Sequence, residues 1–158
     1  MALFDPREML KMAVMDEETG IAFYKALAER TERPDLESAL ISISKQEEIH
    51  AKRFSDMLAG LGGYEPRGEE YAGQHDEFLR ALVESRAFPN PKAAVKKAQT
   101  VKDDAEGLDI SIRLEKDALA FYATLKSALQ PTDLDAVEAI IEEERNHLTE
   151  LARLRRTL

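Results

Sequence analysis

Two of the three histidines stand in the same four-residue frame, Glu47-Glu48-Ile49-His50 and Glu144-Arg145-Asn146-His147, each within a strongly helical stretch. A Glu and a His three residues apart on a helix project from one face. Two such helices facing each other bring two carboxylates and two imidazoles to one point. About 30 residues upstream of each motif lies a further Glu, seven residues before the tyrosine of a Phe-Tyr pair: Glu17 with Tyr24, and Glu115 with Tyr122. Four carboxylates and two imidazoles, contributed by four helices, are the ligand set of a carboxylate-bridged two-metal site in a helix bundle.

The helices that must position these groups are legible as four segments with apolar residues spaced three and four apart. The first runs from about Pro6 to Arg30, with an inward stripe of Leu10, Ala13, Val14, Glu17, Ile21, Tyr24 and Leu27. The second begins at Pro34, a residue suited to a first helical turn, and carries Leu36, Leu40, Ile43, Glu47, His50, Phe54, Met57 and Leu61. The third, from about Asp103, carries Leu108, Ile112, Glu115, Leu119, Tyr122, Leu125 and Leu129. The fourth is expected to open at Thr132-Asp133-Leu134-Asp135, close to a capping box, and to continue through Val137, Ile140, Ile141, Glu144, His147, Leu148, Leu151 and Leu154. Each is about 25 residues, or roughly 37 Å. All six prolines fall at helix ends or in connections. Short links make helices one and two, and three and four, antiparallel hairpins. The expectation is an all-α four-helix bundle in a single domain, with hairpins over about 6–61 and 103–158.

A long link, about Gly62 to Lys102, joins the hairpins. It holds an amphipathic stretch from His75 to Arg86, with Phe78, Leu79, Leu82 and Val83, and a second helical stretch from Pro91 to Ala98. This exceeds what a crossover needs, so it is expected to pack on the bundle or on a partner subunit. His75 has no partner at ligand spacing and reads as a surface histidine. The hairpin itself is repeated: Glu17 and Glu115, like Tyr24 and Tyr122, are 98 positions apart, and the two Glu-x-x-His motifs 97. A pseudo-two-fold axis with a site on it follows.

The argument for metal is that polar residues interrupt otherwise apolar stripes. Glu17 lies between Val14 and Ile21, Glu47 between Ile43 and Phe54, Glu115 between Ile112 and Leu119, and Glu144 between Ile141 and Leu148. A carboxylate desolvated in a core costs several kcal/mol unless paired or metal-bound. No Lys or Arg matches these positions, whereas two divalent cations would balance four carboxylates. Carboxylate and imidazole donors without thiolate favour iron or manganese, with zinc and cobalt left open. Surface glutamates in a Glu-rich chain are the bland alternative; the repeat argues against it. Glu18, Glu48, Glu142 and Glu143 turn off the stripe, toward solvent or the edge of the site. Tyr24 and Tyr122 lie two turns from Glu17 and Glu115 on the same face. Each could hydrogen-bond a ligating carboxylate or relay a radical; a plain core tyrosine is the commoner fate, but the repeat favours the role beside the ligands.

Composition narrows the function classes. The chain of 158 residues is 34% charged and 44% apolar, without Trp or Cys. The net charge of -9 argues against nucleic acid, whose phosphates need a basic face. No apolar run approaches the roughly 18 residues of a membrane span, and the first residues lack the features of a secretory signal, so a cytoplasmic, membrane-free protein is expected. Without cysteine there is no thiolate metal site and no second redox centre, so electrons must come from an external donor.

The repeated pattern, "Glu17-Glu-Thr-Gly-Ile-Ala-Phe-Tyr24" and "Glu115-Lys-Asp-Ala-Leu-Ala-Phe-Tyr122", each followed by Glu-x-x-His, resembles the rubrerythrin-type branch of the ferritin-like superfamily, over roughly residues 6–61 and 103–158. The resemblance implies a non-haem di-iron centre reacting with hydrogen peroxide or dioxygen, usually in homodimers. Carried over by position, Glu17, Glu47, His50, Glu115, Glu144 and His147 are its ligands, holding two irons per chain. Two features depart from the family. The cysteine-held rubredoxin-like centre of longer members has no counterpart. The additional ligand Glu three residues after the helix-three Glu is replaced by Ala118. Two functions follow as expectations: a di-iron oxidoreductase that reduces peroxide or dioxygen, and, alternatively, ferrous iron oxidation and storage in a ferritin-like assembly.

Overall fold

The computed structural model describes residues 5–61, 77, 81, 82 and 84–158, and among these every regular element is helical. Helix α1 spans Pro6–Ala28, α2 Pro34–Gly60, α3 Pro91–Thr100, α4 Asp104–Leu125 and α5 Pro131–Arg155. Local chemistry sets the starts. Asp5 caps α1 by accepting from the Arg7 amide at 2.8 Å, Asn90 caps α3 through the Ala93 amide, and Asp103 caps α4 through the Glu106 amide. Proline occupies the first turn of α1, α2, α3 and α5, where its missing N–H costs nothing.

Two boundaries differ from expectation. Helix α5 opens at Pro131 rather than Thr132, with Gln130 as an N-cap that makes no side-chain bond; proline's fixed φ outweighs the capping-box pattern. Helix α4 ends at Leu125, passes into a 3-10 turn over Lys126–Ala128, and releases Leu129 into extended backbone. The four long helices form the bundle as two hairpins, α1 on α2 and α4 on α5, joined across the α1–α4 seam. Gly107 permits that seam, since a Cβ there would lie 2.7 Å from Leu27 Cδ1.

The described part of the connector packs on the bundle. Helix α3 lies against α1, burying Ala94 and Ala98 with Phe23 and Leu27, and the Arg30 guanidinium donates to the carbonyls of Gln99 and Val101. Of the amphipathic stretch, Glu77, Ala81, Leu82 and Glu84 are helical; His75, Phe78, Leu79 and Val83 lie outside the described residues. No helix among the described residues is long and apolar enough to cross a membrane.

The core is two apolar plugs with a polar layer between them. One joins Phe23, Leu27, Leu40, Ile43, Leu108 and Leu151; the other joins Leu10, Phe54, Phe121, Leu125, Val137 and Ile140. Every long helix crosses from one plug to the other. The residue it carries at the crossing is Glu17, Glu47, Glu115 or Glu144. The plugs seal this layer from both ends, which makes its polarity expensive.

Candidate metal centre

The structure brings all six expected ligand residues into the polar layer, each at most 5% exposed. They form two overlapping groups whose donor atoms lie within 4.8 Å of one another: Glu17, Glu47, His50 and Glu144, and Glu47, Glu115, Glu144 and His147. Glu47 and Glu144 belong to both, which makes them the bridging candidates and Glu17/His50 and Glu115/His147 the terminal pairs. The geometry of Glu144 suits a bridge: Oε1 lies 2.7 Å from His50 Nδ1 and Oε2 3.4 Å from His147 Nδ1. Glu47 Oε1 lies 3.1 Å from His147 Nδ1 and 3.9 Å from His50 Nδ1. The two imidazoles stack with centroids 5.9 Å apart.

Within this cluster, Glu17 Oε2, Glu47 Oε1, His50 Nδ1, Glu115 Oε2, both Glu144 oxygens and His147 Nδ1 are buried atoms without a hydrogen-bond partner. Buried polar atoms are rarely orphaned, and here the orphans are the atoms that face the centre. Divalent cations would satisfy all of them at once, and the donor set of carboxylate oxygen and imidazole nitrogen fits iron. Protons partly fill that role otherwise. Burial, then repulsion from the other carboxylates, pushes Glu47 well above its usual range, and burial with Glu144 beside it does the same to Glu115. Glu144 is held low despite burial by its contacts to Glu115 and the two histidines. Burial disfavours the imidazolium forms, but the facing carboxylates win, raising His50 to about 10 and His147 to about 9.

The tyrosines are tied to the layer crosswise. Tyr24 stands in one plug and donates to Glu115 Oε1 at 2.5 Å; Tyr122 stands in the other and donates to Glu17 Oε1. Each hydroxyl therefore holds the carboxylate of the opposite hairpin, leaving that residue's second oxygen for the centre. Burial and the adjacent carboxylates push both phenols up, so they act as donors. Tyr24→Phe should strip Glu115 Oε1 of its partner and cost about 1–3 kcal/mol of stability, and Tyr122→Phe should cost as much through Glu17. Thermal unfolding of the two variants checks this; a loss confined to one variant would contradict the crosswise symmetry.

Sequence reasoning missed Gly20 and Gln46, and left Glu143 open between solvent and the edge of the site. Gly20 faces Glu47 Oε2 so closely that a Cβ would lie 3.2 Å from it. Glu143 and Gln46 meet the outer nitrogens of the histidines: His50 Nε2 lies 2.5 Å from Glu143 Oε2, and His147 Nε2 2.8 Å from Gln46 Oε1. Both immediately precede a Glu-x-x-His motif, and that register was the available signal. Glu48 and Glu142 pair instead with Lys25 and Arg145 at the surface.

A cavity of about 90 Å³ reaches the layer between α1 and α4 under residues 85–88. Gly20, Tyr24, Glu47, Glu115, Ala118 and Tyr122 line its inner part, and neither histidine does. Asp16 and Arg86, 3.2 Å apart, stand at its outer part, with Arg86 also over the Phe121 ring. Burial raises Asp16 to about 7 against the pull of Arg86.

No curated protein matches the sequence. The fold is similar to the crystal structure of a Thermotoga maritima protein assigned to the ferritin-like diiron-carboxylate proteins, with 25% identity and a TM-score of 0.70 over 97% of this chain and 95% of that one. The rubrerythrin family model matches residues 8–155, which include the four bundle helices but for the first two residues of α1, and every residue of the polar layer; the chain belongs to the rubrerythrin family.

Proposed function

We propose that the protein is a non-haem di-iron oxidoreductase that reduces hydrogen peroxide or dioxygen with electrons from an external donor. The observation that carries this reading is the set of orphaned carboxylate and imidazole atoms in two groups sharing Glu47 and Glu144. In it, Glu17 and His50 would hold one iron and Glu115 and His147 the other, with Glu47 and Glu144 shared by both groups. Ferrous iron held there would supply the two electrons that reduction of an O–O bond needs. The plugs exclude bulk water, and the tyrosine hydroxyls fix the terminal carboxylates. The cavity beside Glu47 and Glu115 has room for several water-sized molecules and gives a small oxidant an approach from the side away from the imidazoles. The reading carries with it a homodimer, as the family resemblance implies, working in the cytoplasm.

Stopped-flow absorbance of protein loaded anaerobically with two irons per chain tests the reading. Oxidation much faster with peroxide than with oxygenated buffer, and repeatable after re-reduction, is the expected result for a peroxidase. Dioxygen-driven consumption of iron well beyond two per chain would point instead to iron storage. Ala118→Leu narrows the cavity without touching a ligand. It should slow oxidation about tenfold, a barrier change of about 1.4 kcal/mol, at unchanged iron content. An unchanged rate would remove the cavity from the oxidant's route.

A further inference from the structure

The hydrogen bonds outside the two histidines break the pseudo-symmetry of the centre. His50 and His147 both turn Nδ1 inward, and in both the outer Nε2 meets the residue one position before the opposite hairpin's motif glutamate. Those residues, Glu143 and Gln46, occupy corresponding positions of the repeat. One is a carboxylate and the other an amide. The amide is oriented: its Nε2 points to Ser42 Oγ at 3.5 Å, which leaves Oε1 to accept from His147.

We propose that Glu143 makes the two metal positions unequal, so that the Glu17/His50 position binds a divalent cation more tightly than the Glu115/His147 position. The inference rests on the metal-centre reading above. An imidazole that donates its outer N–H to a carboxylate is a more electron-rich ligand at its inner nitrogen than one that donates to an amide, and such outer partners set metal affinity. Glu143 also adds a negative charge at the His50 end that the neutral Gln46 does not match. Arg53 Nη1 lies 3.3 Å from Glu143 Oε2, but both side chains are about 40% exposed, so solvent screens that pair more than it screens the contact to buried His50. Each terminal glutamate has its tyrosine on both sides of the axis, Tyr24 lying in addition 3.4 Å from the Ser111 carbonyl. Asp16, beside Glu17, stands where the other hairpin has Leu114, but its charge is met by Arg86. Glu143 is thus a positioning and tuning residue that acts through His50.

The test uses cobalt(II) added to the metal-free protein without oxygen, followed by d–d absorption during titration and by anomalous diffraction from crystals holding one equivalent per chain. Two-step binding is expected, with the first ion between Glu17 and His50. Glu143→Gln should weaken the first step about tenfold or more and leave the second within about threefold, since loss of such a partner typically weakens binding 10–100-fold. The exchange Glu143→Gln with Gln46→Glu should move the first ion to the Glu115/His147 position. That reversal separates a tuning role from a merely structural one, and the partly exposed Glu143 tolerates glutamine without loss of the fold. Equal occupancy of both positions in the natural protein, or two steps unmoved by Glu143→Gln, overturns the inference while leaving the metal centre standing. Absence of cobalt from the cluster overturns both.

Discussion

Glu47→Leu is expected to raise the melting temperature of the metal-free protein by about 3–6 °C and to abolish its stabilisation by metal. Glu47 is buried among Glu17, Glu115 and Glu144, and burial and repulsion together hold its carboxyl well above the usual range. Replacing buried ionic groups with well-packed apolar ones is often stabilising, by about 1–4 kcal/mol, provided that no partner is left as an uncompensated charge. In a domain of this size each kcal/mol moves the midpoint by about 2–4 °C. His147 would lose its 3.1 Å approach to Glu47 but keep Glu144 and Glu115 at 3.4 and 3.8 Å, so no imidazolium is stranded. The unsubstituted protein should behave in the opposite sense. At a metal concentration about a thousandfold above the dissociation constant, binding to the native state alone adds about 4 kcal/mol per site. Differential scanning calorimetry with and without a divalent ion measures both effects. A lower midpoint for metal-free Glu47→Leu, or metal stabilisation that survives the substitution, would contradict the assignment of Glu47 as a buried bridge.

The second large effect is a dependence on pH that metal reverses. In the metal-free protein the facing carboxylates outweigh burial and lift His50 to about 10 and His147 to about 9, from 6.5. Between pH 6.5 and those values the native state binds protons that the unfolded chain has released. Their contribution to stability is complete below pH 6.5 and disappears as the pH climbs through 9 to 10. The raised Glu47 and Glu115 carboxyls act in the same direction from lower pH. A bound cation takes the place of these protons, so its affinity rises with pH. The gap in melting temperature between metal-loaded and metal-free protein should therefore widen from about pH 6 to about pH 8.5, by about 5 °C or more. A gap that stays constant or narrows would show that the metal does not displace protons from the imidazoles.

Most of the bundle was legible because one periodicity governs it. Apolar residues every three or four positions define a buried stripe, and a glutamate on that stripe has few fates other than a partner at the same depth. The repeat doubled every observation, which is why Glu17, Glu47, His50, Glu115, Glu144 and His147 were identifiable before any contact was known. What escaped was geometry between hairpins. Nothing along one helix says that Tyr24 bonds Glu115 rather than Glu17, because the crossing is set by how the two hairpins interlock. Gly20 and Arg86 were silent for the same reason: one matters through an absent side chain, the other through a connector whose path the periodicity does not encode. Helical phase left Glu143 open between solvent and the edge of the site, and its position at the flank is what lets it reach the outer nitrogen of His50.

The central claim is that these six residues hold two metal ions, with Glu47 and Glu144 between them. Anomalous diffraction at the iron edge from anaerobically loaded crystals tests it most directly. The account predicts two peaks per chain, about 3.5–4 Å apart, one beside Glu17 and His50 and one beside Glu115 and His147. A single peak, or iron found only at the protein surface, would contradict it.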